Sequence, residues 1–163
     1  MLSQKMIDEI NLQIKLELYS AYLYLSMSAH FEAANLGGFA IWMKAQAGEE
    51  QQHALKFLEH LQDRGGKVVL QAIEQPPVDF GKPLEIFEEV LKHEESVTAR
   101  IHHMYGVAVK ENDYASQSFL TWFVNEQVEE EKHATQIVEW LKMAGDSTNA
   151  LFMLDSVLRK RGG

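Results

Sequence analysis

Four segments of this sequence each carry a glutamate in the middle of an apolar stripe. The stripes consist of apolar residues that recur at steps of three and four, which places them on one face of a helix. The apolar members are Ile7, Ile10, Ile14, Ala21 and Tyr24 in the first stripe, Phe39, Met43, Phe57 and Leu61 in the second, Phe87, Val90, Val97 and Ile101 in the third, and Leu120, Phe123, Ala134, Ile137 and Leu141 in the fourth. The polar residues that interrupt them are Glu17, Gln46, Glu50, His53, Glu94, Gln127 and Glu130. A carboxylate buried without a partner is costly, and neighbouring carboxylates repel one another. The glutamates must therefore face solvent through a mis-phased stripe, or meet positive charge inside the protein.

Metal cations are the positive charge that this pattern favours. Buried lysine or arginine partners are excluded because the stripes contain neither. Four carboxylates carry four negative charges, which two divalent cations balance. His53 follows Glu50 by three residues, so both point to one side of a helix, and Glu50 is the expected bridge between the two ions. Carboxylate oxygens with one imidazole and no sulfur suit iron or manganese, with zinc as a competitor.

The prolines divide the chain into the elements that must position these residues. All three, Pro76, Pro77 and Pro83, fall within eight residues, and the flanking segments are rich in helix formers. Ser3 and Asp113 are expected N-caps, and Pro83 is expected in a first helical turn. The predicted helices cover residues 4–34, 39–64, 84–111, 114–144 and 148–159.

The connections between these helices predict the topology. Short connections favour antiparallel neighbours. The connection between the second and third helices, about 18 residues long, can extend to about 60 Å and run the length of a bundle. We therefore predict an all-α fold: a four-helix bundle at about 4–144 with one long crossover between helices two and three, plus a short C-terminal fifth helix, in a single domain of residues 1–163. The closing segment, 159–163, is expected to fray.

The composition excludes several classes of protein. The 163 residues include no cysteine, which excludes disulfides and thiolate metal sites. The net charge of −9 is opposite in sign to that of a typical nucleic-acid binder. The N-terminus lacks an apolar signal-type core, and no apolar run could span a bilayer. We expect a cytoplasmic protein without nucleic-acid or membrane partners.

The same residues resemble a known family, the bacterial-type non-haem ferritins of the ferritin-like di-iron superfamily. The matching segments are 16–24, Glu49-Glu50-x-x-His53-Ala54, His93-Glu94 and 119–131. The resemblance covers nearly the whole chain. It implies a ferritin-like fold in a hollow homo-oligomeric shell of 24 subunits. It also implies a ferroxidase that oxidises Fe(II) with O2 or H2O2 and stores ferric mineral. The fifth helix would meet neighbouring subunits rather than cap its own bundle.

The resemblance also implies which residues bind iron. Glu17, Glu50 and His53 would hold the first iron. Glu50, Glu94 and Glu130 would hold the second. This arrangement is a transit site, from which the oxidised product leaves for the mineral.

Further residues match supporting positions of the family. Gln127 would form a hydrogen bond near the second iron. Tyr24 matches a tyrosine beside the centre, where it would donate a hydrogen bond and an electron, or serve only as a core aromatic residue. The residues that match a third iron site near the inner surface are Glu49, Glu126, Glu129 and the shared Glu130. Spacing places three of them on one side of a helix, which is also typical of a solvated acidic face.

Departures from related proteins narrow the prediction. Bacterioferritins bind haem through a Met directly after the helix-two glutamate, where this chain has Gln51, so no haem is expected. They also have a second Glu-x-x-His, where this chain has Gln127-x-x-Glu130. Two alternatives remain: a di-metal enzyme that activates oxygen or peroxide without storing mineral, and a structural bundle whose glutamates face solvent.

Overall fold

The computed structural model describes residues 1–162, and all regular secondary structure in that range is helical. Gly163, the last residue of the predicted domain, lies outside it. The elements are α1 (Gln4–Ala33), α2 (Gly37–Asp63), α3 (Pro83–Lys110), α4 (Tyr114–Ala144), α5 (Thr148–Arg159) and a 3₁₀ turn (Lys160–Gly162). The predicted all-α fold is confirmed, with boundaries shifted by one or two residues. Within residues 1–162, no helix has the length and apolar character needed to cross a membrane.

Three of the four long helices carry the predicted capping or first-turn residue at their N-terminus. The Ser3 hydroxyl accepts a hydrogen bond from the Met6 N–H at 3.0 Å. The Asp113 carboxylate accepts one from the Ser116 N–H at 3.1 Å. Pro83 occupies the first turn of α3, where backbone N–H groups have no acceptor within the helix, so the missing N–H of proline costs nothing.

The N-terminus of α2 is capped by a residue distant in sequence. Its N-cap, Leu36, has no side chain that accepts a hydrogen bond. Instead, the Asp155 carboxylate of α5 accepts from the backbone N–H groups of Gly38 and Phe39, at 2.8 and 3.1 Å. A negative charge at a helix N-terminus is favourable because it faces the unpaired N–H groups and the positive end of the helix dipole. A Cβ at Gly38 would lie 1.8 Å from the Asp155 carbonyl oxygen, so this close approach requires glycine.

Helix α5 therefore does pack against its own bundle, contrary to the expectation that it would only meet neighbouring subunits. Its inner face buries Leu154 and Leu158. Phe152, Met153 and Val157 remain exposed on the outer face. Contact of that outer face with neighbouring subunits stays a prediction.

Two apolar clusters fill the bundle, one toward each end. The first contains buried residues within 23–36 of α1 and its following turn, 39–47 of α2, 86–90 of α3 and 134–141 of α4. The second contains buried residues within 2–14, 57–61, 97–108 and 120–123. The early parts of α2 and α3 thus share one end, so these two helices are parallel, and both are antiparallel to α1 and α4. The predicted crossover is confirmed.

The crossover, residues 64–82, is held along α1 by polar side chains. The Asn11 side-chain oxygen accepts from the Val69 N–H at 2.7 Å, and the Ser26 hydroxyl donates to the Pro77 carbonyl at 2.6 Å. Asn11 and Ser26 are separated by about 22 Å of helix. The crossover thus runs along the bundle and returns the chain to the end where α3 must begin.

The closing segment does not fray as predicted. Residues 160–162 form a 3₁₀ turn, and the Arg161 guanidinium lies 4.3 Å from the centre of the Trp42 ring. The sequence offers no periodic signal over so few residues, whereas the folded surface of α2 provides a partner for the arginine.

Candidate metal centre

The polar residues of the four stripes meet between the two apolar clusters. Each side chain comes from the middle of its helix, at the level where neither cluster fills the bundle. The residues brought together, each at most 4% exposed, are Glu17, Glu50, His53, Glu94, Gln127 and Glu130. Because the four glutamates are buried, the alternative of a bundle with solvent-facing glutamates is wrong. Among the described residues, none of the four forms an ion pair with lysine or arginine.

One group of three ligands is arranged to hold a cation. Ligand atoms of Glu17, Glu50 and His53 all lie within 4.8 Å of one another. The His53 Nδ1 atom is 3.1 Å from Glu50 Oε2 and 4.0 Å from Glu17 Oε2. Gln13 donates to the other oxygen of Glu17 at 2.7 Å, which leaves the buried Oε2 without a hydrogen-bond partner among the described residues. A buried oxygen with free lone pairs is suited to coordinate a metal ion.

Glu94 is oriented by donors on two sides. The Tyr24 hydroxyl donates to Glu94 Oε1. The Gln127 amide donates to Glu94 Oε2 at 3.2 Å, and also contacts the Thr98 hydroxyl at 3.2 Å. The structure thus places Tyr24 and Gln127 beside the carboxylate rather than in separate parts of the core.

Gln46 joins two of the carboxylates, a role that sequence reasoning missed. Its amide nitrogen donates to Glu50 Oε1 at 3.1 Å and to Glu130 Oε2 at 2.7 Å. The available signal was its position four residues before Glu50 on the same buried stripe. Without a structure, a glutamine there is equally consistent with a polar residue at the edge of the core.

The electrostatics of the centre favour binding of positive charge. Burial, followed by repulsion from Glu50, raises the pKa of Glu94 to about 8 and that of Glu130 to about 7. The same two causes raise the pKa of Glu17 well above its usual value. Burial opposes ionisation of Glu50, yet its hydrogen bond with His53 holds its pKa below the usual value. The centre therefore shares protons among close carboxyl groups, and cations that replace these protons would relieve the repulsion.

A second group of ligands adjoins the first. Ligand atoms of His53, Glu126 and Glu130 also lie within 4.8 Å of one another. Because His53 and Glu130 are shared, the second group is continuous with the buried centre. Glu126 is only partly buried and extends this group toward the surface.

The other two residues of the predicted third site lie against nitrogen atoms of basic side chains. Glu49 Oε2 is 2.9 Å from the Arg161 guanidinium. Glu129 Oε2 is 3.8 Å from His133 Nε2. The structure thus brings Glu126 into the centre's ligand groups, but neither Glu49 nor Glu129.

Comparison with known proteins agrees with this arrangement. A family model described as a ferritin-like domain matches residues 7–144. A bacterial non-heme ferritin of Bacteroides fragilis is 44% identical over 99% of this chain and 100% of its own length. The bacterial non-heme ferritin of Staphylococcus aureus is 35% identical over 99% of this chain and 97% of its own length. An open-pore ferritin of the hyperthermophilic archaeon Archaeoglobus fulgidus superposes with a TM-score of 0.96 at 47% identity, over 97% of this chain and 96% of that one. Both the fold and the whole-length sequence similarity lead to one conclusion: this chain belongs to the ferritin family.

Proposed function

We propose that this protein stores iron, and that its buried centre is a ferroxidase that oxidises Fe(II) before storage. The observation that carries the proposal is the set of four buried glutamates and one histidine without a lysine or arginine counter-ion in the described structure. Two divalent ions balance these four charges. Membership of the ferritin family supports iron as the ion.

The first proposed substrate position coincides with a ligand group of the structure, and the second follows from the family resemblance. Glu17, Glu50 and His53 hold one Fe(II) ion. Glu50, Glu94 and Glu130 hold the second, so that Glu50 bridges the two. Tyr24 and Gln127 hold Glu94 in place through their hydrogen bonds.

The chemistry needs little from the protein beyond position and charge. Each Fe(II) gives up one electron. O2 takes up two electrons and two protons to form H2O2, or H2O2 takes up two electrons and two protons to form two water molecules. Hard carboxylate ligands favour Fe(III) over Fe(II) and so assist the oxidation. Glu126, which adjoins the centre and is partly exposed, offers the product a route outward. Glu49 and Glu129 complete a third iron site once Arg161 and His133 are displaced from them.

The storage role requires a shell. We propose a homo-oligomer of 24 subunits with ferric mineral inside and without haem. Curated relatives and solved structures named as ferritins support an assembly of this kind. The exposed outer face of α5 provides apolar surface for subunit contacts. A cytoplasmic location stays part of the proposal.

Aerobic addition of Fe(II) tests both parts at once. Light scattering measures particle size while ferric absorbance is followed in time. We expect a particle of 24 chains that stays soluble and takes up many irons per subunit. Glu50→Ala and His53→Ala should abolish the fast phase of oxidation. Glu139→Gln is the matched control, because Glu139 is an exposed glutamate of α4 paired with Lys142.

The outcomes separate the proposal from its alternative. A small oligomer that binds two irons per chain and forms no mineral would favour the di-metal enzyme that activates oxygen or peroxide. No iron binding at all would refute the metal centre.

A further inference from the structure

Arg161 is a partly buried cation that the proposed chemistry does not use. It lies in the 3₁₀ turn after α5, and its side chain is 21% exposed. The turn is held in place because Asp155 caps α2 and Leu158 is buried against the bundle. The guanidinium lies over the Trp42 ring, a favourable cation–π arrangement. Its position is therefore fixed by the fold.

Arg161 connects directly to the hydrogen bonds of the metal centre. Its Nη2 atom donates to Gln46 Oε1 at 2.7 Å. The amide nitrogen of Gln46 donates in turn to Glu50 and Glu130. The guanidinium is thus two hydrogen bonds away from two carboxylates of the centre.

Metal ligation requires ionised carboxylates, and once both are ionised the donors and acceptors allow only one orientation of the Gln46 amide. Arginine can only donate, ionised carboxylates can only accept, and an amide has one accepting oxygen and one donating nitrogen. A reversed amide would place its oxygen against Glu50 and Glu130 and its N–H groups against Arg161. Arg161 thus secures the orientation in which both carboxylates receive a hydrogen bond.

The same guanidinium nitrogen donates to Glu49 at 2.9 Å. Glu49 and Gln46 accept from the same guanidinium nitrogen, so the negative charge of Glu49 lies close to the hydrogen bonds of the centre. Arg161 balances this charge by forming an ion pair with Glu49, whose carboxylate the third iron site would need as a ligand. Removal of the arginine would therefore free the Gln46 amide to reorient. The negative charge uncovered on Glu49 would act in the opposite direction, because it attracts cations.

We propose that Arg161 is a positioning residue of the metal centre, which acts through Gln46 to orient the two carboxylates that this amide joins. The inference rests on the proposed function only in that the centre binds two divalent cations. Loss of residues that orient metal ligands typically weakens metal binding by about 10–100-fold. Since Arg161 acts through another side chain, we expect a loss near the lower end, about tenfold.

Anaerobic titration with Co(II), followed by its visible absorbance, tests the proposal. Arg161→Met keeps an apolar contact with Trp42 but removes the donor, and should weaken Co(II) binding at the centre about tenfold. Lys160→Met is the matched control, because Lys160 is the exposed adjacent residue and loses the same charge. It should bind as the unmodified protein does. Arg161→Lys retains a charged donor and should restore most of the affinity.

A double-mutant cycle separates positioning from a general structural effect. In a Gln46→Leu background, Arg161→Met should cause little further loss, because its route to the carboxylates is already absent. Circular dichroism and light scattering check that each variant folds and assembles. If Arg161→Met fails to fold or assemble, Arg161→Leu is used in its place. The proposal would be overturned if Arg161→Met or Arg161→Leu leaves the Co(II) affinity unchanged, or if Lys160→Met lowers it equally. It would also be overturned if Arg161→Lys does not restore affinity, or if the effects of Arg161→Met and Gln46→Leu are fully additive.

Failure of the proposed function has a different signature. The unmodified protein, assayed in parallel with Fe(II) and air, would then bind Co(II) at two sites but store no ferric mineral. An effect of Arg161→Met on Co(II) affinity would still stand in that case. Conversely, normal mineral formation with no effect of Arg161→Met refutes only the positioning role.

Discussion

Cation binding at the buried centre should release protons in an amount that the structure predicts. Glu94 and Glu130, with pKa values of about 8 and about 7, are both partly protonated at pH 7. From these values, the two groups together hold about one to two protons per subunit at pH 7, about two at pH 6 and less than about one at pH 8.5. Metal ligation requires ionised carboxylates, so these protons must leave when two cations bind. Glu17, whose pKa is also raised, adds to the release.

Isothermal titration with Co(II) under anaerobic conditions measures this number. At each pH, titrations in buffers of different ionisation enthalpy give the number of protons released per subunit. We expect at least about one proton at pH 7 and a decrease of about one proton between pH 7 and pH 8.5. Glu139→Gln, which removes an exposed carboxylate of α4, should leave the profile unchanged.

A flat profile would refute the reasoning. Release that does not fall between pH 7 and pH 8.5 would mean that Glu94 and Glu130 are already ionised before cations bind. The centre would then compensate its charges by some other means, and the argument that cations replace shared protons would fail.

Three further predictions concern the fold. The first concerns the protein before cations bind. Because the pKa values of Glu94 and Glu130 are raised, the folded state holds protons that the unfolded state has already lost. The free energy of unfolding should therefore fall as pH rises from about 5 to about 8. Thermal unfolding should show this, and Co(II) should stabilise most at high pH; stability that rises over this range would contradict it. Gly38→Ala should displace Asp155 and cost about 1–2 kcal/mol of capping energy, which hydrogen exchange would report as faster exchange in α5. Gly106→Ala is the control, because a Cβ there has room and should leave exchange in α5 unchanged. Asn11→Ala should remove the hydrogen bond to the N–H of the exposed Val69, cost about 0.5–1.5 kcal/mol and speed exchange in residues 64–82. Unchanged exchange there would refute the role of Asn11 in holding the crossover.

Much of the centre could be predicted because its residues interrupt regular patterns. In α2, α3 and α4, every residue assigned to the core stripes is buried in the structure, including the polar ones. A glutamate in such a stripe is visible in the sequence since burial without compensation is so unfavourable. In α1 the stripe is less exact, because Ile7 and Ala21 are only partly buried.

The residues that support the centre could not be predicted in this way. Gln46 was visible as a polar member of a stripe, but its two partners lie on different helices. Asp155 caps a helix 117 residues away in the chain, a contact that no local pattern encodes. Arg161 belongs to a segment too short for periodicity, and the sequence favoured a frayed end.

The sequence by itself thus determined the helices, their order and the chemical type of the centre. These features follow from local propensity, from the periodicity of apolar residues and from the cost of burying charge, all of which act along one segment at a time. Only the tertiary structure decided which carboxylates share protons, that α5 packs on its own bundle, and that Glu49 lies against Arg161 rather than beside Glu126. Those outcomes depend on distances between separate helices, because hydrogen bonds and charge repulsion act over a few ångströms once the chain has folded.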